Sequence, residues 1–468
     1  MISLAPLKEK LQGKAIAILG LGKSGMPVFE ACKAAGIATI VWDDGPDARK
    51  AAEAAGATLK DLSVHDYKDV ACLCMSPGIP LTHPKPHPAA LKAKAAGVEV
   101  LGDIELFRRA KPKNRTIAIT GTNGKSTTTA LIGHILKEAK VPSAVGGNIG
   151  EAILTLPDLP DEAIYVLEMS SYQIDLCPTF APEISILINL SPDHLDRHGD
   201  MGGYIAAKEN IFRGPGTAII GIDDEWSQGV AERVRRQARR KIVQVSCERP
   251  LMSGVFASKD GALFDGKKKI LDLNKCPSLP GAHNWQNAGM AYAACRAAGL
   301  EPEVIAKAMQ SFPGLAHRQN IIAAINSILY INDSKATNDQ AAGVALRTYD
   351  PIYWIAGGKP KDGGYADCEK YLGHVHHTFL IGEAEDVMSA WLSGKGKPFT
   401  LCKTLDNAVA LAHTMAQAQK LDGAVVLLSP ACASFDQYKN FEQRGDAFVA
   451  LVKKLVPVPA VTAKRESA

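Results

Sequence analysis

The chain has 468 residues, too many for one hydrophobic core and enough for about three domains. Its 46% hydrophobic and 22% charged residues are ordinary globular values, and a net charge of +4 is too small to imply a nucleic-acid partner. No apolar run approaches the ~20 residues of a membrane span, so no membrane insertion is expected, and the N-terminus lacks the basic-then-apolar pattern of a signal peptide. The ten cysteines are scattered through apolar segments without a Cys-x-x-Cys, which predicts reduced core thiols in a cytoplasmic protein. Basic clusters at 233–240 and 267–269 read as solvated helix and turn faces.

In chain order, strands are expected at 14–19, 38–42, 70–75, 115–120, 163–168, 183–189, 328–332, 352–356, 377–381 and 424–428. Amphipathic helices fit 24–35, 124–138, 283–298, 337–347, 405–419 and 438–454. This alternation predicts an α/β chain of three domains, with a Rossmann-like N-terminal domain, a P-loop ATPase-like central domain and a Rossmann-like C-terminal domain. Their expected spans are 1–110, 111–313 and 314–468. Linkers are read at 109–114 and 312–318, and the tail after Val456 has no periodicity.

The first strand runs into Gly20-Leu-Gly22-Lys23-Ser24-Gly25, with Asp43 and Asp44 at a strand end ~20 residues on. Such a turn lets a phosphate-bearing ligand approach the backbone. A second glycine turn, Ser76-Pro77-Gly78-Ile79-Pro80, ends the strand at 70–75 and can line the same crevice.

The most informative stretch is Thr116-Ile-Ala-Ile-Thr-Gly121-Thr122-Asn123-Gly124-Lys125-Ser126-Thr127. A strand, a glycine loop and a helix start aim backbone N–H groups at an anion. Lys125 supplies a charge for phosphates, and the Ser126 hydroxyl can ligate Mg2+. The loop is two residues shorter than the usual pattern. Glu168 closes a neighbouring strand, where a Mg2+ ligand or a helix-capping carboxylate belongs. The cluster Asp193-His194-Leu-Asp196-Arg197-His198 suggests a metal or phosphate site, with His194 its candidate and zinc disfavoured by Pro192. Lys208, on an apolar helical stretch, reads by itself as a snorkelling surface lysine. Asn284 and Asn287 share one helix face and suit either an adenine edge or an N-cap.

These motifs, with Gly-Gly-Asn148-Ile-Gly, Gly-Leu-Ala-His-Arg318, Asn332-Asp333-Ser-Lys335-Ala-Thr337-Asn338 and Ser429-Pro-Ala-Cys-Ala-Ser434-Phe-Asp-Gln-Tyr-Lys-Asn-Phe441, resemble the Mur ligase family over residues ~10 to ~456. The C-terminal run is most similar to the members that add D-glutamate. The diaminopimelate- and lysine-adding members carry an Asp-Asn-Pro-Arg signature that this chain lacks. Folate ligases lack a full domain ahead of the phosphate loop. A nucleotide-dependent switch would need the loop but not the C-terminal constellation.

The resemblance implies ATP and Mg2+ as cofactors, and UDP-N-acetylmuramoyl-L-alanine and D-glutamate as substrates. It implies ligation through an acyl phosphate, by a monomer. Gly22, Lys23, Ser24, Asp43, Gly78 and Asn148 would bind the UDP substrate, while Asp44 stands where a hydroxyl residue is usual. Gly121, Thr122, Asn123, Gly124, Lys125, Ser126 and Thr127 would bind ATP, with Asn284, Asn287, Arg318 and Asp333. Ser126, Glu168, His194 and Lys208 would serve the metal, the last as a carbamate. Lys125, His194, Lys208 and Lys335 would be catalytic. Thr337, Lys361, Ser434 and Phe441 would hold D-glutamate, with Lys359 an alternative to Lys361. Pro313 and Gly314 mark the expected hinge.

Overall fold

The computed structural model describes residues 1–360 and 364–455. Two compact units divide at Phe312/Pro313. The first, Met1–Phe312, contains two sheets. Strands β1 (Ala15–Leu19), β2 (Thr39–Trp42), β3 (Val70–Met75) and β4 (Glu99–Leu101) form an all-parallel sheet in the order β2-β1-β3-β4. The second sheet runs β5 (Arg115–Thr120), β6 (Ser143–Gly147), β7 (Ile164–Glu168), β8 (Ile184–Leu187), β9 (Gly216–Gly221), β10 (Arg240–Ser246), β11 (Val255–Ala257), β12 (Ala262–Asp265) and β13 (Lys268–Asp272) along the chain. Its spatial order is β13-β12-β11-β10-β9-β8-β5-β7-β6. The central strands β5, β7 and β8 are buried along almost their whole length and rich in Ile, Val and Leu, as strands covered by helices on both faces must be. The β11–β13 edge turns antiparallel. The sheet core is Ile117, Ile119, Val166, Ile186 and Ile219 against the helices Lys125–Glu138 and Ala282–Ala297.

The second unit carries β14 (Asn320–Ile325), β15 (Ile328–Asn332), β16 (Ile352–Gly357), β17 (Val375–Ile381), β18 (Phe399–Lys403) and β19 (Val425–Leu428), in the order β14-β15-β19-β16-β17-β18. Only the β14–β15 pair is antiparallel. The α/β class and the ten expected strands are observed, to within a residue or two at most ends. The helix 438–454 starts instead at Phe441. Strands β4, β6, β9 to β13, β14 and β18 went unpredicted, because most are short or polar-interrupted and carry a weak alternation signal. Within the basic cluster at 233–240, Arg240 is not a solvated residue. It is buried at the start of β10, and its guanidinium donates to the carbonyls of Phe212, Gly214 and Pro182. Nine of the ten cysteines are buried and all are free, as expected of core thiols. Among the described residues no helix is long and apolar enough to cross a membrane.

Candidate active site

In the second sheet, the loop expected to bind phosphate runs between β5 and the helix Lys125–Glu138. Gly124 is the left-handed cap of that helix (φ +85°), and a Cβ there would lie 2.1 Å from Asn287 Oδ1. Both the conformation and the close approach require glycine. Asn189, at the end of β8, holds the loop from below: its carbonyl accepts from Thr122 N (3.0 Å) and its Oδ1 from Asn123 N (2.9 Å). Lys125 Nζ curls back to the carbonyls of Gly121 (2.9 Å) and Thr122 (2.7 Å). Ser126 and Thr127 are buried in the first turn.

Register places Glu168 beside Ile119, at the mouth of this loop. Glu168 is 2% exposed. Its Oε1 accepts from Asn148 Nδ2 (2.8 Å), while Oε2 is buried with no hydrogen-bond partner. An orphaned anionic oxygen is costly unless a cation completes it. Lys208 is 2% exposed, so it does not snorkel. Its Nζ donates to Gly121 O (2.9 Å) and Thr120 Oγ1 (3.2 Å). Burial, then the charge of Lys125, pulls its ammonium well below the ordinary lysine range, against the opposing carboxylates of Asp193 and Glu168. Tyr204, one turn earlier, meets Thr122 Oγ1 through its hydroxyl (3.2 Å) and lies under Lys208. His194 is half-exposed with φ +52°, 3.4 Å from Asp193 and against the Tyr172 ring. His198 is buried against Ser171 Oγ (2.9 Å); burial, with the Lys208 charge adding, lowers it to about 4. Among the described residues no three His, Cys, Asp or Glu side chains form a metal cage. The donor set of a hydroxyl (Ser126) and a carboxylate (Glu168) suits Mg2+ completed by phosphate oxygens.

Asn284 and Asn287 pair with each other (3.3 Å) beneath the loop. Asn284 Nδ2 donates to Pro280 O, and Asn287 Oδ1 accepts from Thr128 Oγ1. Gly281, not Asn284, is the N-cap. In the first sheet, both Asp43 oxygens accept backbone N–H groups, from Leu21 (2.6 Å) and Gly45 (2.8 Å), bracing the glycine turn. Ser24 Oγ meets Ser76 Oγ at 3.1 Å. Gly22, Lys23 and Gly78 are exposed. Asp44 pairs with His87 (3.2 Å).

In the second unit, Asp333 follows β15 and is 4% exposed. Its oxygens accept from Ser429 Oγ (2.8 Å) and Gln319 N (3.1 Å). Burial raises it to about 7, despite those bonds and the Arg318 charge. Lys335 Nζ stands 5.8 Å over the Phe441 ring. Thr337 is half-buried, Ser434 is buried, and Lys359 is exposed with its backbone paired to Ala433. Lys361 lies outside the described residues. Sequence reasoning missed Asn189, Tyr204 and Arg444. Arg444 is 1% exposed and donates to Ser334 Oγ and O and to the carbonyls of Cys432 and Ala433. It thereby ties the segment bearing Lys335 to the one bearing Ser434. A charged residue on a helix carries no signal of such burial.

Residues 119–295 match the Mur ligase middle domain. The UDP-N-acetylmuramoylalanine–D-glutamate ligase of Paramagnetospirillum magneticum is 49% identical over 95% of this chain and 97% of its own. That of Rhodospirillum rubrum is 47% identical over 97% of each. The fold is similar to MurF from Acinetobacter baumannii (TM-score 0.59, 18% identity, 97% of this chain and 99% of that one). It is also similar to the UDP-N-acetylmuramate-alanine ligase of Thermotoga maritima (TM-score 0.56, 18% identity, 94% of this chain and 100% of that one). With near-full-length relatives at this identity, the chain belongs to the Mur ligase family of ATP-dependent ligases.

Proposed function

We propose that the chain joins D-glutamate to UDP-N-acetylmuramoyl-L-alanine in the cytoplasm, consuming ATP and releasing ADP and phosphate, in the synthesis of peptidoglycan precursors. The relatives' names give the substrates. The observation that carries the chemistry is the phosphate loop with Lys125 beside the buried, half-orphaned carboxylate of Glu168. A carboxylate and an ammonium do not condense at neutral pH without activation. Transfer of the γ-phosphoryl group to the L-alanine carboxylate gives an acyl phosphate; the D-glutamate amine then attacks its carbonyl, loses a proton and expels phosphate. The first step brings anions together, so Lys125 and the start of its helix act by holding the phosphates in line.

Ser126 and Glu168 would hold Mg2+, His194 would serve a second ion or the substrate carboxylate, and Lys208, as a carbamate, would offer an oxygen ligand to Mg2+. Magnesium, when bound, supplies charge neutralisation at the phosphates. The free amine is the form that takes up CO2, and burial disfavours the charged form of Lys208, which supports a carbamate there. Arg318, Asp333, Asn284 and Asn287 would serve the nucleotide, and Lys335 the transferring group. Thr337, Ser434, Phe441 and Lys361 would hold D-glutamate. Gly22, Lys23, Ser24, Asp43, Gly78 and Asn148 would hold the UDP substrate. The test is ADP formation with each substrate omitted in turn. A switch protein would hydrolyse ATP without either one.

A further inference from the structure

Arg197 sits in the polar cluster after β8, and no role is given to it above. Its Nη1 donates to Gly78 O (3.1 Å) and its Nη2 to Pro77 O (3.3 Å), so one guanidinium spans two successive carbonyls of the turn that follows β3. The guanidinium lies over the Tyr172 ring, 4.4 Å from its centroid. Tyr172 is in turn stacked on His198 (5.4 Å, 17°), and His198 touches Tyr204, whose hydroxyl meets the phosphate loop at Thr122. The same turn is pinned on its other side, where Ser76 Oγ donates to Gly20 O (3.0 Å) and meets Ser24 Oγ. Gly78 itself faces open space, with nothing within 4 Å of where a Cβ would stand.

We infer that Arg197 is a positioning residue for the UDP substrate, holding the Pro77–Gly78 turn of the first sheet at a fixed place relative to the phosphate loop of the second. A planar fork can do this where a point cation cannot, because both carbonyls are held at once and the plane is clamped on an aromatic face. The turn has room to move without it. A shallow cleft, open to solvent, lies beside the clamp, lined by Ile79, Leu81, Asp175 and Leu176 together with Pro77 and Arg197. Loss of the fork therefore loosens the turn rather than collapsing a packed core.

This inference rests on the proposed ligation, so the wild-type chain is assayed first. If it forms no ADP with both substrates present, the ligation reading fails, whatever the variants do. Given an active wild type, Arg197→Ala is expected to raise KM for UDP-N-acetylmuramoyl-L-alanine by at least about tenfold, with KM for ATP and D-glutamate within about twofold. The thermal midpoint should not move. Arg197→Lys should remain impaired by at least about threefold in the same KM, since one ammonium cannot fork two carbonyls. An unchanged KM for the UDP substrate overturns the inference. So does a rise in all three KM values together with a lowered midpoint, which marks a merely structural arginine, and so does full recovery in the lysine variant.

Discussion

Lys125 holds two loop carbonyls in the structure, and a bound nucleotide offers it phosphates instead. Lys125→Ala should therefore leave the fold intact and cut ligation by at least about 100-fold, as with other groups that stabilise developing charge. Retention of more than half the activity would remove the phosphate-loop assignment. Lys208→Ala should be as damaging, and short carboxylates such as acetate should restore part of the rate by replacing the carbamate oxygens. An alanine variant with near-normal activity would refute that role. These two lysines also mark what could be read from residues alone. Lys125 was legible because its strand, glycines and helix are contiguous in sequence. Lys208 was not, because its burial depends on Thr120 and Gly121, about 90 positions away. Only the likeness to a family gave it a role.

At the scale of elements, the junction between β5 and its helix depends on one backbone position. Gly124→Ala would put a methyl group into Asn287 Oδ1 and force alanine into a left-handed φ. The left-handed cost alone is about 1–2 kcal/mol. Nucleotide binding measured by calorimetry should weaken by at least about tenfold; unchanged affinity would refute the cradle. In the second unit, Asp333 joins the ends of β15 and β19 to the turn before β14. Its carboxyl is raised from 3.8 to about 7, so the folded chain keeps a proton that the unfolded chain has lost between those values. The protonated form favours folding. This contribution is fully present below pH ~4 and is lost as pH rises through 7, at up to about 1.4 kcal/mol per pH unit. Asp333→Asn should flatten that slope in urea unfolding at pH 5, 6 and 7; an identical slope in both proteins would contradict it. The strands carrying these groups were legible as apolar runs. Partners such as Ser429, 96 positions from Asp333, were not, because strand order is set by crossovers that leave no local mark.

At the scale of the whole molecule, two compact units carry three sheets, and each sheet bears one set of motifs at its strand ends. That placement is general to open parallel sheets, so the position of the motifs at strand ends follows from the residues alone. The division at Phe312/Pro313 was legible from Phe-Pro-Gly at 312–314. The amino-acid specificity was not legible in physical terms. Ser434 gains meaning only once Arg444 is seen to be buried beneath its loop, and Phe441 only once Lys335 is seen over its ring. The proposed ligation couples ATP cleavage to one acceptor and one amino acid. The most direct measurement is ADP formation by the full chain with UDP-N-acetylmuramoyl-L-alanine and a panel of D-glutamate, L-glutamate, D-alanine and meso-diaminopimelate. ADP release is expected with D-glutamate, none without the UDP substrate, and background rates with the other three; comparable release with any of them, or with no amino acid at all, would refute the coupling.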